Sequence, residues 1–179
     1  MRGTTSPETD PSEPGAIPIE SLLRELDDFD RIDIDSSGSD DAGPWHDGRE
    51  GPREVLSAVV NTLFPDTDFR FDEDLVKQNL DETLLMLVSL RESGTHGKGL
   101  MDDLARLFDA HLSPGTVYPQ LHELEEEGLL RMVEKVRTKE YHVGDDREVR
   151  ARLERNMYQH LALGYAIYLC LEDRRRSRS

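Results

Sequence analysis

The stretch Leu112–Leu130, LSPGTVYPQLHELEEEGLL, combines the period of an amphipathic helix with a start made of small, rigid and hydroxyl-bearing residues. Ser113 is a good N-cap, and Pro114 at the first helical position loses no available hydrogen bond. Gly115 and Pro119 carry little bulk, so the backbone of this helix can come close to a partner surface. A helix that served only to pack would carry alanine, leucine and glutamate in these positions.

A helical wheel separates a packing face from a contact face on this helix. The inward apolar side chains are Val117, Leu121 and Leu124. The outward face and its flanks hold the candidate contact residues, which are Ser113, Gly115, Thr116, Tyr118, Pro119 and His122. The hydroxyl groups suit phosphate oxygens or base edges, and the positive N-terminal end of a helix favours phosphate. The glutamates at 123 and 125–127 come two turns later, where they are directed away from DNA.

These residues predict a helix over 113–127 whose first turns enter the major groove of duplex DNA. The alternative is a capped core helix with an idiosyncratic start. Two helices are expected before it. One covers 79–92 and is capped by Asn79 or Asp81, and the other covers 99–109.

After the contact helix the hydrophobic period changes from that of a helix to that of a strand. Residues 129–146 alternate in polarity and predict a two-stranded hairpin, with a wing at 131–143. The span 131–139 holds four bases, among them Arg137 and Lys139, against one acid, which is a net charge of +3. We predict phosphate contacts for Arg137 and Lys139; a solvated hairpin without a partner is the alternative.

A long helix is predicted from 145 to 172, with apolar residues spaced mostly three and four apart. Such a stripe needs another helix to cover it, so we predict a homodimer formed through this helix. Its dimerisation residues are Val149, Leu153, Met157, Leu161, Ile167 and Leu171. The order of elements predicts a fold that is mainly α with a small β-hairpin: a winged helix-turn-helix followed by a dimerisation helix.

Composition divides the 179 residues into an acidic N-terminal part and a denser remainder. The net charge is −16, of which residues 1–70 contribute −11. The first segment is too rich in Ser, Pro, Gly and acid to form a core, although 19–29 has helical spacing. The predicted divisions are an acidic, largely disordered segment (1–52), an amphipathic helix and connector (53–75), the winged-helix domain (76–144), the dimerisation helix (145–173) and a basic tail (174–179).

The excess of acid, together with 18 arginines and only four lysines, is typical of proteins from salt-accumulating organisms. An ordinary protein with an acidic tail is the alternative. A net charge of −16 repels DNA, which favours a rival function: a winged-helix module that binds protein and not DNA. At molar salt the Debye length is about 3 Å, so this repulsion is largely screened.

Other kinds of chemistry find little support in the sequence. The six histidines show no spacing typical of a metal site, and no nucleophile–base pattern or phosphate-binding loop occurs, so we expect no cofactor, no metal and no enzyme activity. The single cysteine, Cys170, and the apparent lack of a signal peptide predict a cytoplasmic protein. The longest apolar run, 161–171, is too short to span a membrane.

The motif from Ser113 to Pro119 closely resembles the recognition-helix signature of PadR-family transcriptional regulators, a Ser-x-Gly-Thr-x-Tyr-Pro core followed by Leu-Glu-x-Glu-Gly. The segment THGKGLMDDLARLF (95–108) resembles the preceding helix of that family, and the likeness covers roughly 78–173. The resemblance implies a homodimeric DNA-binding repressor or regulator, with the effector left open. It also implies that operator recognition falls to the matching residues, which are Ser113, Gly115, Thr116, Tyr118 and Pro119.

Two departures from the family pattern concern the neighbouring elements. Lys98 and Gly99 stand where the family usually has tyrosine and glutamate. In the wing, Arg137, Thr138 and Lys139 replace a Gly-Arg-Pro element. The resemblance therefore predicts the recognition helix better than it predicts the wing contacts.

Overall fold

The computed structural model describes residues 51–64, 68–91 and 93–177. The predicted helix at 19–29 and residues 1–50 of the predicted disordered segment lie outside the described residues. Pro52, the last residue of that segment, already belongs to α1. The chain divides into two compact units, residues 1–69 and 70–179. The elements are α1 (Pro52–Leu63), α2 (Glu73–Gln78), α3 (Leu80–Ser89), β1 (Thr95–His96), α4 (Gly97–Phe108), α5 (Pro114–Glu126), β2 (Leu130–Glu134), β3 (Lys139–Val143) and α6 (Asp146–Arg176).

In the first unit the described residues form helix α1 and the residues around its end. Proline stands at the start of α1, where its missing N–H is not needed. The helix ends at Phe64, whose N–H donates to the Val60 carbonyl at 2.8 Å. The rings of Phe64 and Phe69 stack, with centroids 4.0 Å apart. The predicted amphipathic helix at 53–64 is confirmed.

Helix α2 was not predicted, and it changes how the first long helix begins. The Asp72 side chain caps α2, accepting hydrogen bonds from the N–H groups of Asp74 (2.9 Å) and Leu75 (3.1 Å). Asn79 separates α2 from α3, but its side-chain amide donates back to the Leu75 carbonyl at 2.8 Å. Asn79 is the N-cap residue of α3, as one of the two expected alternatives had it, but its side chain makes no capping hydrogen bond. Its Oδ1 atom lies 3.0 Å from His160 Nε2 instead.

Helices α3, α4 and α5 form the core of the second unit around fully buried apolar side chains. These include Leu84, Leu85, Leu87, Val88, Leu100, Leu104, Val117 and Leu121. The His96 ring caps α4 by accepting the Gly99 N–H at 2.7 Å. Asp103, buried on α4, pairs with Arg91 at the end of α3 and with Arg106 at 3.0 Å. This carboxylate joins the first two helices of the helix-turn-helix.

The sheet has three antiparallel strands in the order β1-β3-β2, where the sequence had predicted two. Strand β3 is central: Tyr141 is paired with Thr95 on one side and Met132 on the other. Strand β1 is only two residues long, too short to leave an alternating pattern in the sequence. The hairpin itself, β2 and β3, lies where it was predicted.

Helix α6 begins against the domain and continues well past it. Asp145 caps it, accepting the N–H groups of Arg147 (2.9 Å) and Glu148 (3.2 Å). Val149, in its first turns, is 3% exposed, and α6 packs on α3. The helix continues through Arg176, so it includes the first three residues of the predicted basic tail.

Candidate nucleic-acid interface

Helix α5 begins as predicted, with Ser113 extended and Pro114 at the first helical position. The Ser113 carbonyl accepts the N–H groups of Thr116 (2.9 Å) and Val117 (3.1 Å). The Ser113 side chain does not cap the backbone, because its oxygen lies 3.1 Å from that of Thr116 and the two hydroxyls bond each other. Both residues are exposed, so the positive end of α5 carries two neighbouring hydroxyl-bearing side chains.

The outward face of the first turns is low in side-chain bulk. Gly115 and Pro119 are both exposed. A Cβ atom added at Gly115 would have the Ser113 Oγ atom, 3.7 Å away, as its nearest neighbour, so the glycine is not required for packing. Pro119 lies inside the helix and has no N–H, so the Gly115 carbonyl lacks its usual helical donor. A partner surface can approach this backbone closely.

Among the candidate contact residues, Tyr118 is held in place by a contact with another helix of the domain. Its side chain is 43% exposed, and its ring covers Gly97 at the start of α4. A Cβ atom at Gly97 would lie 2.6 Å from the tyrosine Cε1 atom and 2.8 Å from its hydroxyl oxygen. Burial raises the pKa of Tyr141 on β3, and the neighbouring Tyr118 and Glu125 raise it further. The ring therefore sits where α4, α5 and the sheet meet.

Gly97 was not among the predicted site residues. Its signal in the sequence was the His-Gly pair that opens THGKGLMDDLARLF, but spacing alone does not reveal a contact between two helices. The structure shows that any side chain at this position would push the Tyr118 ring outward. Gly97 therefore belongs to the candidate site as a supporting residue.

His122 lies on the exposed face as predicted, but its surroundings are acidic. Its ring nitrogens are 3.7 Å from the nearest Glu125 carboxylate oxygen and 3.4 Å from that of Glu126. Glu123 and Glu127 are also exposed on the last turns. Among the predicted contact residues, His122 thus has the surroundings least suited to an anionic partner.

The wing is a tight hairpin whose bases differ in their pairing. The Lys135 N–H donates to the Thr138 carbonyl at 2.8 Å, which places Val136 and Arg137 at the tip. The Lys135 ammonium lies 2.6 Å from Glu140 and lowers the pKa of that carboxyl. Arg137 and Lys139 are exposed, and no carboxylate in the described part of the chain pairs with either. Arg131, at the base of the hairpin, is exposed as well, and no ion pair is found for it in the described part of the chain. These side chains are available for phosphate oxygens.

The predicted dimerisation residues divide into three groups. Val149 is buried in the protomer, so its assignment to the dimer surface is wrong: the first turn of α6 completes the domain core. Leu153, Met157 and Leu161 are half-buried. Ile167 is 53% exposed, and Leu171 is exposed to a similar extent. The prediction omitted further exposed apolar residues on the same helix, namely Tyr158, Leu163, Tyr165 and Leu169.

The described residues offer little else that would bind a ligand. Among them, no group of three histidine, cysteine or acidic side chains is arranged to hold a metal ion. None of the helices in these ranges is both long enough and apolar enough to cross a membrane.

The helices α3, α4 and α5 with the adjoining sheet define a winged helix-turn-helix domain. Comparison with known protein families then shows which family this domain resembles. Residues 85–158 match the Transcriptional regulator PadR-like family. The match covers less than half of the 179 residues and includes all of α4, α5, β2 and β3. The resemblance noted in the recognition-helix motif is confirmed.

Curated relatives come from salt-loving archaea. Transcriptional activator GvpE of Haloferax mediterranei is 50% identical over 74 residues, which is 41% of this chain and 38% of that protein. Transcriptional activator GvpE1 of Halobacterium salinarum is 36% identical over 120 residues, which is 67% of this chain and 62% of that protein. The chain thus spans less than two thirds of either relative. These sources agree with the salt-accumulating origin that the composition predicts.

A solved structure is also similar to this chain. It is a PadR-like transcriptional regulator from Bacillus cereus, 21% identical, with a TM-score of 0.47. The similarity covers 55% of this chain and 96% of that one.

Proposed function

We propose that this chain is a sequence-specific, DNA-binding transcriptional regulator that acts on double-stranded DNA as a homodimer. The observation that carries the proposal is the bare, exposed face at the start of α5, from Ser113 to Pro119. Helix α5 would enter the major groove with this face towards the bases. The hairpin would contact the flanking backbone through Arg137 and Lys139. In this arrangement residues 76–144 bind DNA and residues 145–173 form the dimerisation helix.

The acidity of the chain makes the shape of this face more important than its charge. At molar salt the Debye length is about 3 Å, so repulsion between distant acids and phosphates is weak. The same salt removes much of the gain from releasing counterions. Affinity must then come from close fit in the groove, and a helix start without bulky side chains supports such fit. The acids of α5 are concentrated at its other end.

The homodimer is supported by the outer half of α6. Between 161 and 171 apolar side chains occur on every side of the helix, and most of them are exposed. A helix that is apolar all round is normally buried. A second copy of the same helix would cover this surface and pair two recognition helices. Light scattering at molar salt should give twice the chain mass of 20.4 kDa; a monomer at tens of micromolar would contradict the dimer.

The names of the relatives favour activation over the repression that the family resemblance had implied. We therefore propose that the chain activates its target promoters. A promoter identified by genome-wide footprinting of the tagged protein, fused to a reporter, should give more product with the gene present than with it deleted. A higher signal in the deletion strain would reverse the direction of regulation and leave DNA binding intact.

The decisive test of DNA binding is Gly115→Leu. A Cβ atom at this exposed position would meet only the Ser113 Oγ atom, at 3.7 Å, so the variant should fold normally. In the groove, however, the leucine would hold the helix away from the bases, so specific binding should be lost. Fluorescence anisotropy on footprinted and random duplexes at the native salt concentration measures this, with circular dichroism to verify the fold.

Gln78→Leu is the matched control, because it adds the same side chain to an exposed helical position outside the proposed interface. It should bind as the wild type does. If Gly115→Leu folds and binds its operator like the wild type, the groove assignment is wrong. A winged helix that contacts protein and not DNA would then be the better interpretation.

A further inference from the structure

Arg152, on the inner half of α6, connects three helices through one guanidinium group. Its Nη2 atom lies 2.9 Å from Asp81 Oδ2, and its Nε atom lies 3.5 Å from Glu82 Oε1, both at the start of α3. Its Nη1 atom lies 3.4 Å from Glu127 Oε2, on the residue that ends α5. Each guanidinium nitrogen thus faces a different carboxylate.

The groups that meet at Arg152 are better shielded from solvent than those of an ordinary surface ion pair. The Arg152, Asp81 and Glu82 side chains are all at least two-thirds buried, while Glu127 is more exposed. Burial raises the pKa of Glu82, and Asp81 beside it raises that pKa further. Burial acts in the same direction on Asp81, but hydrogen bonds from Glu82 and from its own backbone, with the Arg152 charge, lower its pKa overall. Without the arginine, three carboxyl groups would face one another.

The ion pairs of Arg152 join α6 to other helices. The Arg150 guanidinium, two positions earlier, lies 2.8 Å from Glu154 on the same helix. Arg175 pairs with Glu172, also on α6. The direction of α6 is set by its packing on α3 and by two polar contacts. His160 Nε2 lies 3.0 Å from Asn79 Oδ1 at the start of α3, and Arg152 reaches both α3 and α5.

Small changes in that direction become large at the far end of the helix. From Arg152 to Leu171 the helix rises about 29 Å at 1.5 Å per residue. A tilt of about 5° at Arg152 would move the Leu171 end by roughly 2.5 Å. This distance is most of the rise of one DNA base pair. The partner's recognition helix would be displaced at least as far. Dimeric helix-turn-helix proteins read two half-sites whose separation reflects the distance between their recognition helices.

We propose that Arg152 is a positioning residue that sets the spacing of the two DNA half-sites. The proposal rests on the DNA-binding homodimer proposed above. Arg152 contacts no DNA. It holds the end of the recognition helix, through Glu127, at a fixed angle to the helix that carries the dimer surface. Operators with the correct half-sites at a different spacing are thereby rejected.

The test compares Arg152→Gln with Arg150→Gln, which removes a charge of the same type from the same helix but leaves the junction intact. Binding is measured on single half-sites and on duplexes whose two half-sites are separated by spacers that differ by one base pair. For Arg152→Gln, half-site affinity should be unchanged. The preference for the best spacer over its neighbours should fall by about 2- to 30-fold. Arg150→Gln should keep the wild-type profile.

Glu127→Gln is the second variant, because it breaks only the link to α5 and lies at an exposed position that will tolerate it. It should shift the spacer profile in the same direction as Arg152→Gln. If Arg152→Gln does not fold, Glu127→Gln decides the question. A wild-type profile in either folded variant, or an equal change in Arg150→Gln, overturns the proposal. If the wild type prefers no duplex at all, the proposed DNA-binding function fails, which is a different outcome.

Discussion

Replacing Gly97 with alanine should weaken DNA binding without unfolding the domain, because the new methyl group would displace the Tyr118 ring. The added Cβ atom would lie 2.6 Å from the ring carbon Cε1. Carbon atoms in contact prefer about 3.5–4.0 Å, so the ring must move by about 1 Å. The ring is partly exposed and has room to move outward.

The size of the effect follows from hydrogen-bond geometry. An O–H···O bond spans about 2.5–3.0 Å, and a displacement of about 1 Å breaks it. A bond from the Tyr118 hydroxyl to a charged phosphate is worth about 1.5–3 kcal/mol. The dissociation constant for the operator should therefore rise about 10- to 150-fold. The free energy of unfolding should change by less than about 1 kcal/mol, because alanine is a better helix former than glycine.

The assay is a double-mutant cycle that uses anisotropy titrations of the wild type, Gly97→Ala, Tyr118→Ala and the double variant. If Gly97→Ala acts through the ring, it should have no further effect once the ring has been removed. Additive losses would refute the reasoning, as would wild-type affinity in the single Gly97→Ala variant. Thermal unfolding of each variant at the same salt concentration serves as the control for the fold.

Four further predictions concern the wing and α5, the two halves of the long helix, and the buried carboxylate. Arg137→Ala should weaken binding to operator and random duplexes alike, and should reduce by about 1 the slope of log affinity against log salt concentration. Thr116→Val should instead change the preference between operators by about 1–3 kcal/mol. Equal behaviour of the two variants would contradict their separate roles. Val149→Ala should lower the free energy of unfolding by about 1–3 kcal/mol at every protein concentration, because the residue lies in the protomer core. Ile167→Glu should instead raise the dimer dissociation constant in sedimentation equilibrium by about tenfold or more while leaving the protomer folded, and an unchanged dimer would exclude this face. Asp103→Ala should lower the free energy of unfolding by about 1–3 kcal/mol in denaturant titrations, since it leaves two arginines without their buried carboxylate; an unchanged midpoint would show that solvent replaces the pairs.

The sequence predicts those features that depend on neighbouring residues. The period of α5 identifies Val117, Leu121 and Leu124 as its buried side, and the structure confirms all three. The alternation at 130–143 likewise gives the hairpin. Helix α2 and strand β1 were missed because six and two residues are too few to show a period.

The remaining differences arise because periodicity does not identify what covers an apolar stripe. Val149 and Ile167 belong to one stripe on α6, but the domain core covers the first and leaves the second exposed. The contact between Gly97 and Tyr118 joins two helices, and neither helix shows it by itself. For the same reason, the link from Arg152 to Glu127 is visible only once α5 and α6 are placed in the fold.

The pairing of β1 with β3 has a consequence for how the domain folds. Thr95 is paired with Tyr141, and roughly 45 residues must be closed into a loop before that pair forms. The contacts of helices α3, α4 and α5 with one another join segments that are closer in sequence, and such local contacts form early. We therefore expect α5 to be in place before the edge of the sheet closes, and this edge to open first in native-state fluctuations. Amide hydrogens of β1 should then exchange faster than those of α3, and a molecule with an open edge would still carry α5 intact.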